Sequence, residues 1–248
     1  MENKQQFPTE QVTLPSKGLL YPEDSPLRKG TIEMKYMTAK EEDILTNQNY
    51  IDNGTVIDKL LQSLIVTKVS YKDILLGDKN AILIAARILG YGADYEFEYQ
   101  GERVTVDLAE VEDKQLDASI LVEGKNEVKF TLPTSKIEVS FKFLTHSDEK
   151  QISKEIEGLK KIDKLSDRSL STRMKNILLS VNGDYDRKTV RDFVDTTMLA
   201  RDSRALRNYI KEIQPDVDLK FDHIDGAGKS RTLDIPIGVQ FFWPDVGI

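Results

Sequence analysis

Ala81-Ile82-Leu83-Ile84-Ala85-Ala86-Arg87-Ile88-Leu89 leads through Gly90-Tyr91-Gly92 into Asp94-Tyr95-Glu96-Phe97-Glu98-Tyr99, and the change of period between the two halves decides the fold. The first half is apolar nearly all round. A helix over Lys79 to Leu89 therefore has no face to offer to water and is expected at the centre of a core. Gly90 and Gly92 end it, because glycine takes the left-handed backbone of a helix C-terminus at no steric cost. The second half alternates apolar with acidic residues, as a half-buried strand does. Arg103-Val104-Thr105-Val106-Asp107 repeats the alternation beyond Gln100-Gly101-Glu102, which predicts a hairpin.

N-terminal to this stretch, Thr55 to Val66 carries Val56, Ile57, Leu60, Leu61, Leu64 and Ile65 at helical spacing. Thr38-Ala39-Lys40-Glu41 has the form of a capping box and opens a helix to about Leu45. Thr31 to Tyr36 alternates as a short strand. Earlier still, the prolines of Leu14-Pro15-Ser16-Lys17-Gly18-Leu19-Leu20-Tyr21-Pro22 exclude a helix, and Lys17-Gly18 suits a turn. An apolar extended segment of this kind has to lie against the chain's own body or a neighbouring subunit. Residues 1–13, rich in Gln, Glu and Lys, are expected to be a flexible arm.

C-terminal to it, Asn126 to Leu132 and Lys136 to Phe143 form a second strand pair around Pro133-Thr134-Ser135, which with the first suggests a small antiparallel sheet. Helices are expected from Thr145 to Lys161, Ser169 to Leu179, Lys188 to Thr196 and Met198 to Ile213, where Pro215 stops the last. Asp218 to Phe221 and Thr232 to Ile235 predict a closing hairpin around Asp225-Gly226-Ala227-Gly228. The expected fold class is α+β: two helical units, each followed by small antiparallel β-hairpins or sheet, without metal. A boundary near residues 143–147 divides an N-terminal α+β domain, 14–143, from a C-terminal helical domain, 144–248, that ends in the hairpin.

The chain has 248 residues and a formal net charge of −7, which argues against a nonspecific grip on nucleic-acid phosphates. It contains no cysteine, so disulfides, thiol catalysis and thiolate metal sites are excluded. Of the two histidines, His146 reads as a surface or cap residue and His223 as a loop residue. Gly226-Ala227-Gly228-Lys229-Ser230 lacks the glycine spacing of a phosphate-binding loop and reads as a turn. The acid pairs Glu41-Glu42, Glu96/Glu98 and Asp216/Asp218 read as solvated faces. No catalytic residue, cofactor or metal ligand is expected. No apolar run reaches the roughly 18–20 residues that span a bilayer, and the N-terminus lacks a signal-peptide stretch, so a soluble protein made in a cytoplasm is expected.

Three places are candidate partner-binding surfaces. One is the N-terminal segment, with Leu14, Pro15, Leu19 and Tyr21. Another is Arg201, Arg204 and Arg207, spaced every three residues along one helix; they either pair with Asp202 and Glu212 or dock an acidic partner or another copy. The last is Phe241, Phe242 and Trp243, which must be tucked into the core or buried in a partner.

Taken in order, Leu14-Pro15-Ser16-Lys17-Gly18, Tyr21-Pro22, Met37-Thr38-Ala39-Lys40-Glu41-Glu42-Asp43-Ile44-Leu45 and Gly77-Asp78-Lys79-Asn80 with Ala85-Ala86-Arg87-Ile88 resemble the baseplate hub and hub-assembly proteins of T-even-type contractile-tailed phages. Ala200 to Arg207, Pro215-Asp216-Val217-Asp218 and Phe241-Phe242-Trp243-Pro244 continue the likeness, which runs from about residue 12 to the C-terminus. It implies a structural or assembly protein of the tail baseplate hub that acts by protein–protein contacts, with other hub or tape-measure proteins or further copies of itself as partners. Nucleic acid and membrane are not among the implied partners. The implied location is the host cytoplasm during assembly and the virion tail baseplate. One alternative is a transient chaperone for hub or tape-measure components; others of different class are a nucleic-acid-binding adaptor and a carboxylate-based cell-wall hydrolase. Many such relatives carry Cys-x-x-Cys pairs in the two hairpins. The matching stretches here, Glu96 to Val104 and Phe221 to Arg231, have none, which implies hairpins held by strand pairing and side-chain contacts alone.

Overall fold

The computed structural model describes residues 8–162, 168–224 and 228–242. β1 (Thr9–Thr13) pairs antiparallel with β2 (Thr31–Lys35), with Val12 opposite Ile32. Thr9 to Thr13, expected within a flexible arm, are thus ordered by a backbone ladder; residues 1–7 lie outside the described residues. Between the strands the chain passes through successive turns, and Gly18 (φ 76°) sits so close to the facing backbone that a Cβ there would lie 2.3 Å from the Arg28 carbonyl oxygen. Only glycine fits that approach.

α1 (Ala39–Leu45) opens on the expected capping box: Glu41 Oε2 accepts from the Thr38 N–H at 3.0 Å and from its hydroxyl at 2.6 Å. α2 (Gln48–Asp52) is short, and α3 (Val56–Leu64) buries Val56, Leu60, Leu61 and Leu64. α4 (Leu76–Tyr91) begins three residues earlier than the periodicity alone indicates and buries Ala81, Ile82, Leu83, Ile84 and Ala86. It packs against α3, β1, the turn Leu108–Glu110 and the turn Val239–Phe242, which makes it the central helix. The one charged side chain in its apolar stretch is also buried: Arg87 donates to the carbonyls of Gly92 at 2.9 Å and Asp94 at 3.1 Å, and so fastens the helix to the strand that follows.

That strand, β3 (Asp94–Tyr99), pairs with β4 (Glu102–Asp107) through Gln100 and Gly101, both at positive φ as a tight hairpin turn demands. β5 (Val128–Thr131) pairs with β6 (Glu138–Phe141), and a third strand joins them. α5 (His146–Ile162) and α6 (Ser169–Ile177) precede it, and the chain leaves α6 as β7 (Leu178–Val181), antiparallel to β6. The helix expected to reach Leu179 therefore ends at Ile177, because Leu178 to Val181 gain a ladder and a buried 2.6 Å contact between the Ser140 and Ser180 hydroxyls. The first two strand pairs lie in separate sheets.

α7 (Arg187–Asp192) runs into a wider turn, Phe193–Thr197, and α8 (Ala200–Ile213) is followed by the hairpin β8 (Lys220–Ile224) and β9 (Ser230–Asp234). The fold class is α+β, with several small antiparallel sheets among helices. Apolar residues from both sides of residue 143 belong to one buried cluster, which includes Leu14, Ile82, Phe141, Leu178, Leu206 and Phe242. The two hairpins also meet. Phe97 and Phe221 stand edge to face at 6.0 Å, and Tyr95 donates to the Pro236 carbonyl at 3.2 Å while packing edge-on to Phe241 at 4.8 Å.

Candidate interaction surface

Leu14, Pro15 and Tyr21 are buried and Leu19 is partly buried, so the N-terminal segment lies against the chain's own body. Phe241 and Phe242 are each 1% exposed and are likewise part of the core. Of the two places open to these residues, the chain's own core or a partner, the structure shows the first. Trp243 lies outside the described residues.

Arg201, Arg204 and Arg207 behave differently. α8 buries Leu206 and stacks Tyr209 on Phe130 with centroids 4.6 Å apart. At 3.6 residues per turn, Arg201, Arg204, Arg207 and Lys211 fall on the opposite side of the helix, and all four are exposed. Among the described residues no carboxylate forms an ion pair with any of them. The expected pairing with Asp202 does not occur. That carboxylate is wholly buried and accepts the N–H groups of Thr134 at 2.8 Å and Ser135 at 3.0 Å, which ties the start of α8 to the β5–β6 connection. Burial works to raise the Asp202 carboxyl, but these donors outweigh it and hold it below its ordinary range.

Beside this face lies an apolar groove of about 220 Å³, floored by Leu75, Phe143, Leu144, Ile177, Ile210 and Pro215. Arg207 and Lys211 stand at its edge. Two further rim cations are already neutralised: Arg173 grips Glu149 with bonds of 2.6 and 2.7 Å, and Lys142 donates to Asp148 at 2.7 Å. The groove is closed below by a backbone contact at Gly77, where a Cβ would lie 1.8 Å from the Pro215 carbonyl oxygen. An apolar side chain fits the groove, and carboxylates flanking it would meet Arg207 and Lys211, which lack carboxylate partners among the described residues. Guanidinium groups suit that task, since their fixed donor fork matches a carboxylate.

The polar cluster that sequence reasoning missed surrounds His146. Expected at the surface or at a helix cap, it is the first residue of α5 and only 9% exposed, with Nε2 3.3 Å from Asp58 Oδ2 and its ring 4.7 Å from that of Tyr71. Burial lowers its proton affinity below the usual imidazole value despite Asp58. His223, expected in a loop, lies on β8 with Nε2 3.7 Å from Glu102 on the other hairpin. Among the described residues no group of three or more His, Asp or Glu side chains is placed to hold a metal ion, and no helix is long and apolar enough to cross a membrane.

No family model, curated protein or solved structure matches the chain.

Proposed function

We propose that this chain is a structural or assembly protein of the tail baseplate hub of a contractile-tailed phage, working by protein–protein contacts without catalysis, with α8 as its docking face. The supporting observation is the exposed row Arg201, Arg204, Arg207 and Lys211, left without carboxylate partners beside an apolar groove. α8 itself offers this row two acids, Asp202 and Glu212. The fold turns Asp202 inward, and among the described residues Glu212 forms no ion pair with the row. Desolvated charge pairs around an apolar anchor are a recurrent way of fixing an interface and its register. The hub assignment itself rests on the ordered likeness of segments from Leu14 to Pro244.

The double substitution Arg204→Glu with Arg207→Glu tests the reading. Co-sedimentation with hub and tape-measure components should show association weakened at least tenfold, with the thermal midpoint little changed because both side chains are exposed. Undiminished association overturns the assignment of α8. Tight DNA binding at moderate salt, lost in the same variant, would favour the nucleic-acid adaptor instead. Mass spectrometry of purified virions then separates a retained subunit from a transient chaperone.

A further inference from the structure

We propose that the cleft between α3 and α5 is a binding site for a small molecule bearing two or more phosphate groups. It is separate from the α8 face and does not depend on the hub reading. α3, the turn Tyr71–Asp73 and the first turns of α5 enclose an open cavity of about 690 Å³, room for a nucleotide-sized ligand. Four lysines reach it from three elements: Lys59 from α3, Lys72 from the turn, and Lys150 and Lys154 one helical turn apart on α5. Among the described residues none of the four pairs with a carboxylate. Lys59 lies instead 5.9 Å from the centre of the Tyr50 ring.

The carboxylate among the described lining residues, Asp58, is neutralised from within the protein. Lys79 donates to its Oδ1 at 2.7 Å and the Tyr71 hydroxyl to the same oxygen at 2.9 Å, while His146 Nε2 stands 3.3 Å from Oδ2. Among the described lining residues an entering anion therefore meets no uncompensated negative charge. The tilted Tyr71 and His146 rings form a firm polar wall. Thr55, Ser70 and Ser147 add hydroxyls to the lining.

Four like charges gathered on one concavity repel one another, and an anion converts that repulsion into attraction. Lysine ammonium groups are compact point charges that serve phosphate oxygens from any direction, and lysine is a common phosphate ligand. Several lysines around one cavity call for a ligand with several phosphate charges.

The experiment titrates the full chain with inorganic tripolyphosphate at low salt, by calorimetry and by following the His146 ring resonances. The expected result is saturable one-to-one binding that shifts those resonances. Lys150→Gln with Lys154→Gln should weaken it at least tenfold at an unchanged thermal midpoint, and Arg204→Glu with Arg207→Glu should leave it intact. Citrate provides the carboxylate arm. Tighter binding of citrate, unsaturable binding, or equal loss in the α8 variant each overturns the proposal.

Discussion

Tyr21 donates its hydroxyl hydrogen to Asp78 Oδ2 across 2.6 Å, joining the N-terminal turns to the first turn of α4 over a separation of 57 residues. The same carboxylate accepts the Ser16 N–H at 2.9 Å and the Ser16 hydroxyl at 2.7 Å, and the Leu75 N–H donates to the Tyr21 oxygen at 2.9 Å. Burial pushes the Asp78 carboxyl up against the pull of these donors. The segment read as lying against either the chain's own body or a neighbouring subunit is thus anchored by a satisfied polar network inside its own protein.

Tyr21→Phe removes the hydroxyl that serves both Asp78 and the Leu75 N–H. Leaving buried groups unsatisfied costs about 1–3 kcal/mol, so urea unfolding should show a loss of that order with an unchanged slope. A change below about 0.5 kcal/mol would mean that water enters the site.

Glu41 predicts a pH dependence. Burial alone would raise its carboxyl, but hydrogen bonds from Lys35, Thr38 and Ser63 win and hold it at about 2. A depressed carboxyl contributes stability that is fully present above its ordinary value, 4.5, and lost as pH falls from there towards about 2. Asp58 and Asp202, also lowered, act in the same direction; Asp78, raised, acts oppositely, since its protonation in the fold relieves a cost. Glu41→Gln should lower the thermal midpoint at neutral pH and flatten its decline between pH 4.5 and 2. An unaltered slope in that window would remove Glu41 from the account.

Phe97 and Phe221 join the two hairpins without any cysteine. An edge-to-face pair is worth about 0.5–1.5 kcal/mol beyond area burial, so a double-mutant cycle with Phe97→Leu and Phe221→Leu should return a coupling of that size. Additive effects would assign the hairpin contact to Tyr95, Phe241 and Pro236 instead.

Much of the architecture is legible locally. The capping box at Thr38 and Glu41, the all-apolar run from Ala81 to Leu89 and the turn at Gln100-Gly101 each carry their signal within a few residues, and each appears where it is read. β7 does not, because Ile177-Leu178-Leu179 fits a helix face and a buried strand equally well. Its pairing with β6 decides, and that partner lies far away in the chain. The Arg87 side chain has a local target in Gly92 and Asp94, yet nothing in an apolar run announces it.

The candidate surfaces divide the same way. By itself the sequence determined the α+β alternation, the caps and turns, the absence of cysteine chemistry and the spacing that puts three arginines on one side of α8, because these follow from periods of 2 and 3.6 and from single side chains. Only the tertiary structure decided which polar groups are satisfied and which remain free. It turned Asp202 toward Thr134 and Ser135, buried Tyr21 and Phe241, gathered Asp58, Lys79 and His146, and left four lysines around one cleft. Charge pairing and burial depend on distances between residues remote in the chain, and no local pattern specifies those.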